Sequence, residues 1–467
     1  MTITRGFGLT GIALPEQQVA QLKALLDDPQ VTTYQVDIRE DAALEIAFVA
    51  RDVPPLGYAT YRFEPTPERS TAEAPPSEEP LAIENERFRV SADPATGHLT
   101  VTDGETGLVL PACHRLVDGG DRGDEYNYCP PAEDRLVSRP AEPPTIHRTA
   151  EADGQRLVIE AAYRVPQALT GDRTARSGET IELPVTTRVA LTPGVDRVDF
   201  ETTVENRACD HRLRVHFPTP LQVETATAAG HWDAVEWPLA LPEETEDWIE
   251  QPVPTRPQRG WTTVSDGDRG VTLANRGLPE VEVIPTEEGS EIALTLLRCV
   301  GWLSRDDFPC REGAAGPQMA TPEAQCPGGH TFRYSLIPHT ADWPNGQPAA
   351  EAFQTDLRAV SAGSHPGPLP PTHSFLSVTP ASLRVSAVKL PEEEPGLVVR
   401  LWNAAGEPVT GILRLWRPFR QVVQTNLAEH LHVEEELARN ADSVSLSVAS
   451  RGIVTLRFRF EDTGGDR

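Results

Sequence analysis

Two pairs of adjacent carboxylates stand out in this sequence, Asp124 with Glu125 and Asp306 with Asp307. Two carboxylates that face one cleft can act as acid and nucleophile or base on a glycosidic bond, at a separation of roughly 5 Å for retention of configuration and more for inversion. Neighbouring residues on a strand point to opposite faces. On strands, neither pair supplies both groups, and a site would need one member of each pair on converging strands. The alternative for each acid is a solvated or salt-bridged carboxylate.

Aromatic rings form a second candidate site, because they can pack against the apolar face of a sugar. Tyr126 and Tyr128 belong to the stretch GDRGDEYNYCPP and are expected on the same face of one strand. The predicted middle domain also contains four tryptophans: Trp232, Trp237, Trp261 and Trp302. The alternative is that these rings belong to the core, as most aromatic residues of a β-sandwich do.

The elements that must position these residues are predicted to be strands. Residues 156–165 (RLVIEAAYRV), 197–206 (RVDFETTVEN) and 210–217 (DHRLRVHF) alternate between apolar and polar side chains. Residues 293–303 (ALTLLRCVGWL) are apolar on nearly both faces, which predicts a strand buried between layers. Only residues 16–28 (EQQVAQLKALLDD) show helical spacing. With 44 prolines and 34 glycines at turns, the pattern predicts an all-β chain of large antiparallel sheets, most simply sandwiches.

Two stretches rich in proline, serine or glutamate predict the domain boundaries. Residues 66–80 and 361–373 lack apolar anchors and are expected to be linkers or exposed loops. They separate three regions. These are a small N-terminal β region with one short helix (1–65), a large β-sandwich (81–360) and a C-terminal β-sandwich (374–467).

Composition and charge limit the class of partner. The formal net charge of −28 argues against nucleic acid or an anionic membrane and fits a neutral or cationic ligand. No apolar run approaches a membrane span, and the first residues do not have the pattern of a secretory signal, so a cytoplasmic location is expected. The six cysteines include no C-x-x-C pair and are expected to be free thiols. The spacing of Cys310, Cys326 and His330 matches no structural zinc pattern.

The order of several motifs resembles the C-terminal β region of glycoside hydrolase family 38, the α-mannosidases, and looks most like its bacterial branch. The resemblance runs collinearly from about Gln35 to the end of the sequence. The motifs are FVARDVPPLGYATYRF, IENERFRVSADPATGHLTVTDGETG, GDRGDEYNYCPP, VENRACDHRLRVHFPT, LANRGLPEVEV, LTLLRCVGWLSRDDFPCREGAAGP, TPEAQCPGGHTFRYSLIPH, SAVKLPEEEPGLVVRLWN and RPFRQVVQTNLAE. The resemblance implies a galactose-mutarotase-like supersandwich with smaller flanking β-sandwich domains.

The resemblance also implies an activity. Family members are retaining exo-mannosidases in which a zinc ion binds hydroxyls of the terminal mannose, one Asp is the nucleophile and another is the acid/base. The zinc ligands and the nucleophile come from an N-terminal α/β barrel-like domain, which is followed by a three-helix bundle. No alternating β/α pattern precedes the predicted sandwiches here. We therefore expect this chain to complete the mannose site of a separate zinc-dependent catalytic chain, to hold no cofactor itself and to be inactive alone.

Two other readings stay open at the sequence level. One is a non-catalytic carbohydrate-binding or scaffold protein derived from the family. The other is a decayed fragment without function, which would expose a large apolar patch where the barrel once docked.

Three residues are expected at the rim of the mannose site, and none is expected to be catalytic or to bind metal. Tyr126 matches the family's Y-x-aromatic-x-P motif in YNYCP, and Arg311 matches, less securely, an arginine that follows an Asp-Asp pair in DDFPCR. Asp124 lies two residues before Tyr126 and is expected to share its face. A phenol can hydrogen-bond a sugar hydroxyl while its ring packs, and a guanidinium can hold a carboxylate or a pair of hydroxyls in a fork.

Overall fold

The computed structural model describes residues 46–64, 81–151, 153–243, 245–307, 309–363, 366–393, 395–431 and 437–461. Every pair of neighbouring strands in these ranges is antiparallel, which confirms the predicted all-β class. One unit consists of residues 49–355 and 371–467. The other described residues, 46–48, 356–363 and 366–370, belong to a separate unit and contain neither strand nor helix.

The strands before the second expected linker are β1 Gly57–Ala59, β2 Ala82–Glu84, β3 Phe88–Ala92, β4 Leu99–Asp103, β5 Val109–Cys113, β6 Arg115–Gly120, β7 Thr145–Glu151, β8 Gly154–Pro166, β9 Thr180–Leu191, β10 Val198–Asn206, β11 His211–Thr219, β12 Thr225–Ala229, β13 Ala234–Pro238, β14 Arg256–Pro257, β15 Trp261–Ser265, β16 Arg269–Asn275, β17 Glu280–Thr286, β18 Gly289–Cys299 and β19 Gly328–Thr340. A 3₁₀ turn spans Pro322–Gln325 and helix α1 spans Trp343–Gln354. The strands after helix α1 are β20 Thr372–Ser374, β21 Leu376–Thr379, β22 Leu383–Lys389, β23 Leu397–Asn403, β24 Val409–Leu415, β25 Gln421–Thr425, β26 Ser443–Val448 and β27 Ile453–Arg459.

Two sheets form the large sandwich. The nine-stranded sheet has the order β13-β12-β15-β16-β19-β10-β9-β8-β7, and the five-stranded sheet has the order β14-β17-β18-β11-β6. Side chains from both sheets, such as Phe200 of β10 and Phe217 of β11, share one apolar core. A smaller sheet, β2-β3-β4-β5, contributes Val90 and Val101 to the same core.

The predicted alternation is observed along β8, β10 and β11. Every second residue of β10, from Val198 to Asn206, is buried. In β11 the predicted face is buried, and Arg212 and His216 on the other face are buried too. The strand β18 is buried on both faces, as its apolar run predicted. The two neighbouring strands β11 and β18 thus lie deep inside the molecule.

The C-terminal strands form a second sandwich of two sheets, β21-β24-β26 and β22-β23-β27-β25. Its core is a separate cluster that includes Leu401, Leu413 and Phe458, all fully buried. The short strand β1 pairs with β20. The two core clusters lie on either side of the expected second linker, and the exact domain boundaries stay predictions.

The α-helix α1 was not predicted, because its sequence WPNGQPAAEAFQ contains two prolines and a glycine, which disfavour a helix interior. Asp342 caps its N-terminus by accepting a hydrogen bond from Trp343 N at 2.7 Å, and Trp343 stacks on Trp261. A local N-cap and tertiary packing therefore both stabilise this helix. The helix predicted for residues 16–28 lies outside the described residues. No helix in the described ranges has the length and apolarity that crossing a membrane requires.

Candidate functional site

Strand pairing brings two long loops together at one end of the large sandwich. His211, the first residue of β11, pairs with Gly120 at the end of β6 on one side and with Cys299 at the end of β18 on the other. Because β6 and β18 both run antiparallel to β11, they end at the same edge. The chain continues from β6 into residues 121–131, the tyrosine loop. From β18 it continues through Val300–Trp302 into residues 303–307 and 309–320, the arginine loop.

The tyrosine loop is not a strand, contrary to the prediction for GDRGDEYNYCPP. Asp124 Oδ1 accepts hydrogen bonds from the backbone N–H groups of Tyr126 at 3.0 Å and Asn127 at 2.9 Å. Aspartate side chains stabilise turns in this way, in competition with a strand ladder. A side chain at Gly123 would place its Cβ 1.9 Å from Asn127 O, so the turn requires glycine there.

Three buried ion pairs lie beneath this loop, at intervals of three residues along the chain. Their carboxylates come from Asp118 at the end of β6, Asp121 and Asp124, and all three are at most 1% exposed. The pairs are Asp118 with Arg176, Asp121 with Arg298 at 2.8 Å and Asp124 with Arg311 at 2.7 Å. A buried carboxylate needs such partners, since its desolvation is costly. Because each bond joins different segments, the pairs fix the loop to the sheet below.

Asp124 and Arg311, two of the three residues predicted at the rim, contact each other in the interior. Asp124 Oδ2 accepts hydrogen bonds from Arg311 Nη2 and from Arg305 N at 2.9 Å, and the Asp124 side chain has no exposed surface. Arg311 also donates to Asn127 Oδ1 and to Arg305 O. Asp124 therefore does not share the face of Tyr126, since its carboxylate points down into the protein. In this structure the ion pair supports the tyrosine loop from below.

The carboxyl groups of Asp124 and Asp121 differ in their pKa. Burial alone raises the pKa of Asp124, but the hydrogen bonds from Arg311, Asn127 N and Arg305 N outweigh it, so the pKa lies below its usual value. For Asp121, burial outweighs the charge of Arg298 and the pKa is raised. Asp124 is thus held as a carboxylate. Its charge is matched by Arg311 rather than offered to a ligand.

Tyr126 is the predicted residue that faces solvent. Its side chain is 53% exposed, and its hydroxyl lies against Gly316 of the arginine loop. Ser304 Oγ accepts hydrogen bonds from Ala315 N at 2.9 Å and Gly316 N at 3.1 Å, which fixes this part of the loop. Ser304 is itself fully buried. An exposed phenol therefore stands on two loops that are held rigidly from beneath.

A third segment joins the two loops. The backbone N–H of Gln251 donates to Cys310 O, and Glu312 N donates to Ile249 O. Asn127 Nδ2 of the tyrosine loop donates to Glu250 Oε1 at 2.5 Å. Ile249 is 70% exposed, so this segment adds an apolar side chain to the same end of the sandwich.

The other aromatic candidates occupy different places. Tyr128 is not on the face of Tyr126, since its ring packs 3.4 Å from Arg212 Cζ. Trp261 is buried against Trp343 in the core. Trp302 lies close to the site, where its carbonyl accepts from Glu125 N at 3.1 Å.

The two acidic pairs do not combine into a carboxylate pair facing one cleft. Asp124 is buried, whereas Glu125 is exposed on the loop. Asp306 and Asp307 are exposed, and Asp307 pairs with Arg305. In the part of the chain that the structure describes, no three His, Cys, Asp or Glu side chains are grouped to hold a metal ion.

Sequence reasoning missed most of the supporting residues. Asp118 and Asp121 were not singled out, nor were Arg298, Ser304 and Asn127. The spacing Asp118-x-x-Asp121-x-x-Asp124 was visible in the sequence. Nothing in that spacing identifies the arginines, which lie more than fifty residues away in the chain.

Two family models match the sequence. Residues 83–308 match the Glycosyl hydrolases family 38 C-terminal domain, and residues 382–456 match the Glycosyl hydrolases family 38 C-terminal beta sandwich domain. The first match includes the tyrosine loop and the three buried aspartates.

Among proteins of known structure, the chain is similar to an alpha-mannosidase from Enterococcus faecalis, with 29% identity, a TM-score of 0.70, and coverage of 81% of this chain and 42% of that one. It is also similar to a second family 38 protein from Enterococcus faecalis, with 28% identity, a TM-score of 0.69, and coverage of 81% and 44%. A curated relative from Halalkalibacterium halodurans, named "Putative mannosylglycerate hydrolase", is 24% identical over 80% of this chain and 41% of its own length. The chain therefore spans about two-fifths of the length of these relatives.

Proposed function

Because the chain belongs to glycoside hydrolase family 38, of which it carries the C-terminal β-sandwich region, we propose that its tyrosine loop forms one wall of the mannose site of an α-mannosidase. In this proposal a separate catalytic chain supplies the nucleophile, the acid/base and the zinc ion. The bound ligand is a saccharide with a terminal α-mannose.

The observation that carries the proposal is the placement of Tyr126. It is half exposed, with its hydroxyl at the junction of the two loops. A tyrosine in this position offers a flat apolar ring and one hydroxyl, the two groups that a pyranose requires of a binding surface. Asp124 and Arg311 then act as positioning residues, because they fix the backbone that carries Tyr126.

Rigid support matters for such a contact. A side chain on a mobile loop loses conformational freedom when a ligand binds, and this loss weakens binding. Here the turn is held by two backbone hydrogen bonds to Asp124, whose other oxygen is bound by Arg311 and Arg305 N. The loop therefore loses its conformational entropy when the chain folds, and not when the saccharide binds.

The choice of mannose rests on the relatives. The Enterococcus structure is named for α-mannosidase activity, and the name of the Halalkalibacterium relative refers to a mannosyl compound. Both are more than twice as long as the part that this chain matches. Among the described residues, no cluster of three or more His, Cys, Asp or Glu side chains could hold a zinc ion, so no step of the proposal uses a metal ion on this chain.

The test mixes this chain with a family 38 catalytic chain that lacks the C-terminal β-sandwich region, using an aryl α-mannoside and zinc. We expect turnover in the mixture and none from this chain alone. Turnover by this chain alone would overturn the assignment of catalysis to a partner. If the mixture is inactive while methyl α-mannoside still binds this chain, the non-catalytic carbohydrate-binding alternative is correct.

Replacing Tyr126 with Phe tests the wall itself. Loss of one hydrogen bond predicts a decrease in kcat/KM of roughly two- to tenfold. The matched control is Tyr61→Phe, since Tyr61 is also exposed but hydrogen-bonds Arg51 O elsewhere in the chain. Equal kcat/KM values for Tyr126→Phe and wild type would remove Tyr126 from the site.

A further inference from the structure

Two cysteines from different loops meet beside the site. Cys129 belongs to the tyrosine loop and Cys310 to the arginine loop, and their Sγ atoms lie 2.7 Å apart although 181 residues separate them in the chain. Both are free thiols in the structure. A disulfide joins sulfur atoms at about 2.0 Å, so a small movement suffices to form one.

The backbone on both sides of this contact is fixed. Arg122 N donates to Cys129 O at 2.8 Å, and Gln251 N donates to Cys310 O at 3.0 Å. Arg122 also donates from Nη2 to Asp307 O at 2.8 Å, which links the two loops a second time. The sulfur atoms are therefore held facing each other by the surrounding structure.

The two thiols have different reactivities. Cys310 is partly exposed, and both its hydrogen bond with Cys129 and the charge of Arg122 lower its pKa. Cys129 is almost fully buried, and its hydrogen bond with Cys310 and its burial raise its pKa. Because the thiolate is the nucleophile, Cys310 is the attacking sulfur and Cys129 the resolving one.

We propose that Cys129 and Cys310 are a site of reversible disulfide formation that joins the tyrosine loop to the arginine loop. The oxidant is a small-molecule disulfide such as oxidised glutathione. The Cys310 thiolate attacks one of its sulfurs, forms a mixed disulfide and releases one small thiolate. Cys129 then loses its proton and attacks Cys310 Sγ, which releases the second small thiol. Two protein thiols are oxidised and one small disulfide is reduced to two thiols.

The disulfide would act on the same loops as the ion pair between Asp124 and Arg311. Cys310 is adjacent to Arg311, and Cys129 lies three residues after Tyr126. A covalent bond between these points restricts the relative motion of the two loops. Oxidation therefore adds a second constraint on the position of Tyr126.

The test incubates the reduced chain with increasing concentrations of oxidised glutathione, followed by alkylation and peptide mapping without reduction. We expect a cross-linked peptide pair containing Cys129 and Cys310, and hydrogen exchange in residues 121–131 slowed by roughly tenfold in the oxidised protein. The partly exposed Cys209 is an internal control for oxidant strength, because it is a free thiol that, among the described cysteines, is not hydrogen-bonded to another.

A second cysteine pair must be resolved from the first. Cys326 hydrogen-bonds Cys299, which lowers the pKa of Cys326 to about 6. A disulfide between Cys299 and Cys326 would appear in different peptides from a disulfide between Cys129 and Cys310. If Cys209 is fully glutathionylated while no Cys129–Cys310 peptide forms in the wild-type chain, the proposal is wrong. A stable glutathione adduct on Cys310, with no disulfide between Cys129 and Cys310, would also overturn the proposal. The outcome does not depend on saccharide binding or on the catalytic partner.

Discussion

The end of the large sandwich that carries Tyr126 and the C-terminal sandwich are stabilised by different interactions. Ion pairs with buried carboxylates, from Asp118 to Asp124, hold the first. An apolar core that includes Leu413 and Phe458 holds the second. Among the described ion pairs of the C-terminal sandwich, Arg414 with Asp442 is exposed, and the buried carboxylate of Glu429 pairs with the partly exposed Lys389.

The two kinds of interaction have different effects: buried ion pairs fix the geometry of the site, whereas apolar packing stabilises the fold. Apolar packing is non-directional and tolerates many sequences, so it suits a domain that needs only to fold. Buried ion pairs contribute less net stability than their number suggests, but they fix geometry, because each partner has one acceptable position. The site end has the second kind of support, at the place where two loops must stay in register.

The largest expected effect comes from breaking the pair between Asp124 and Arg311. Arg311→Met leaves the Asp124 carboxylate buried without its main partner and should lower the free energy of unfolding by about 3–5 kcal/mol. Urea unfolding measures the loss, and hydrogen exchange should show the tyrosine loop opening first. The matched control is Arg414→Met in the exposed pair, for which a loss of about 0–1 kcal/mol is expected.

A loss below about 1 kcal/mol for Arg311→Met would erase the contrast between the two regions. The double variant Asp124→Asn with Arg311→Met sharpens the test. It removes the uncompensated charge, so it should recover part of the stability that Arg311→Met alone loses.

A slightly smaller effect is expected from a cavity in the C-terminal sandwich. Leu413→Ala removes a fully buried side chain and should cost about 3 kcal/mol. Leu390→Ala, at a position that is 76% exposed, is the control and should change stability by less than about 0.5 kcal/mol. Hydrogen exchange in the tyrosine loop should stay at the wild-type rate in both variants. Faster exchange there would show that the two regions are coupled.

Acid should act on the site end through Asp124. The folded-state pKa of Asp124 lies below its unfolded value, so its contribution is present above about pH 4 and is lost as pH falls through the folded pKa. Asp121, whose pKa is raised, acts in the opposite direction. The relevant quantity is therefore the stability difference between wild type and Asp124→Asn, which should shrink between pH 5 and pH 2. A difference independent of pH would contradict the assigned charge on Asp124.

The contrast between apolar packing and contacts of distant charged residues also explains what could be predicted from the sequence. Alternation revealed β8, β10 and β11, and the apolar run revealed β18, because burial imposes a period on side chains. Helix α1 was missed although Asp342 followed by Pro344 is a local signal for a helix start. Its stacking on Trp261 is a tertiary effect, which local propensity could not anticipate.

At the site, the strand assumption failed for a specific reason. Residues 120–131 contain alternating aromatic residues, yet Asp121 and Asp124 accept backbone hydrogen bonds and turn the chain. Residue type made both Tyr126 and Tyr128 candidates, and only the family resemblance selected Tyr126 and identified Arg311. Their opposite placements, one exposed and one buried, depend on partners distant in the chain. Contacts between residues far apart in the chain leave no periodic pattern in a single sequence, so they could not be predicted from it.

The smallest expected effect on stability, and the finest test of the site, comes from Gly316. A Cβ at this position would lie 2.8 Å from the Tyr126 hydroxyl, so Gly316→Ala must displace the end of that side chain. Because the ring is half exposed it can move at low cost, and the unfolding free energy should change by less than about 0.5 kcal/mol. The kcat/KM of the mixture with the catalytic chain should nevertheless decrease, by an amount similar to that for Tyr126→Phe. Gly171→Ala is the control, since a Cβ there meets no atom within 4 Å. If Gly316→Ala leaves kcat/KM unchanged while Tyr126→Phe lowers it, the hydroxyl acts from a position other than the one against Gly316. In that case the rigidity of the two loops would not be what positions it.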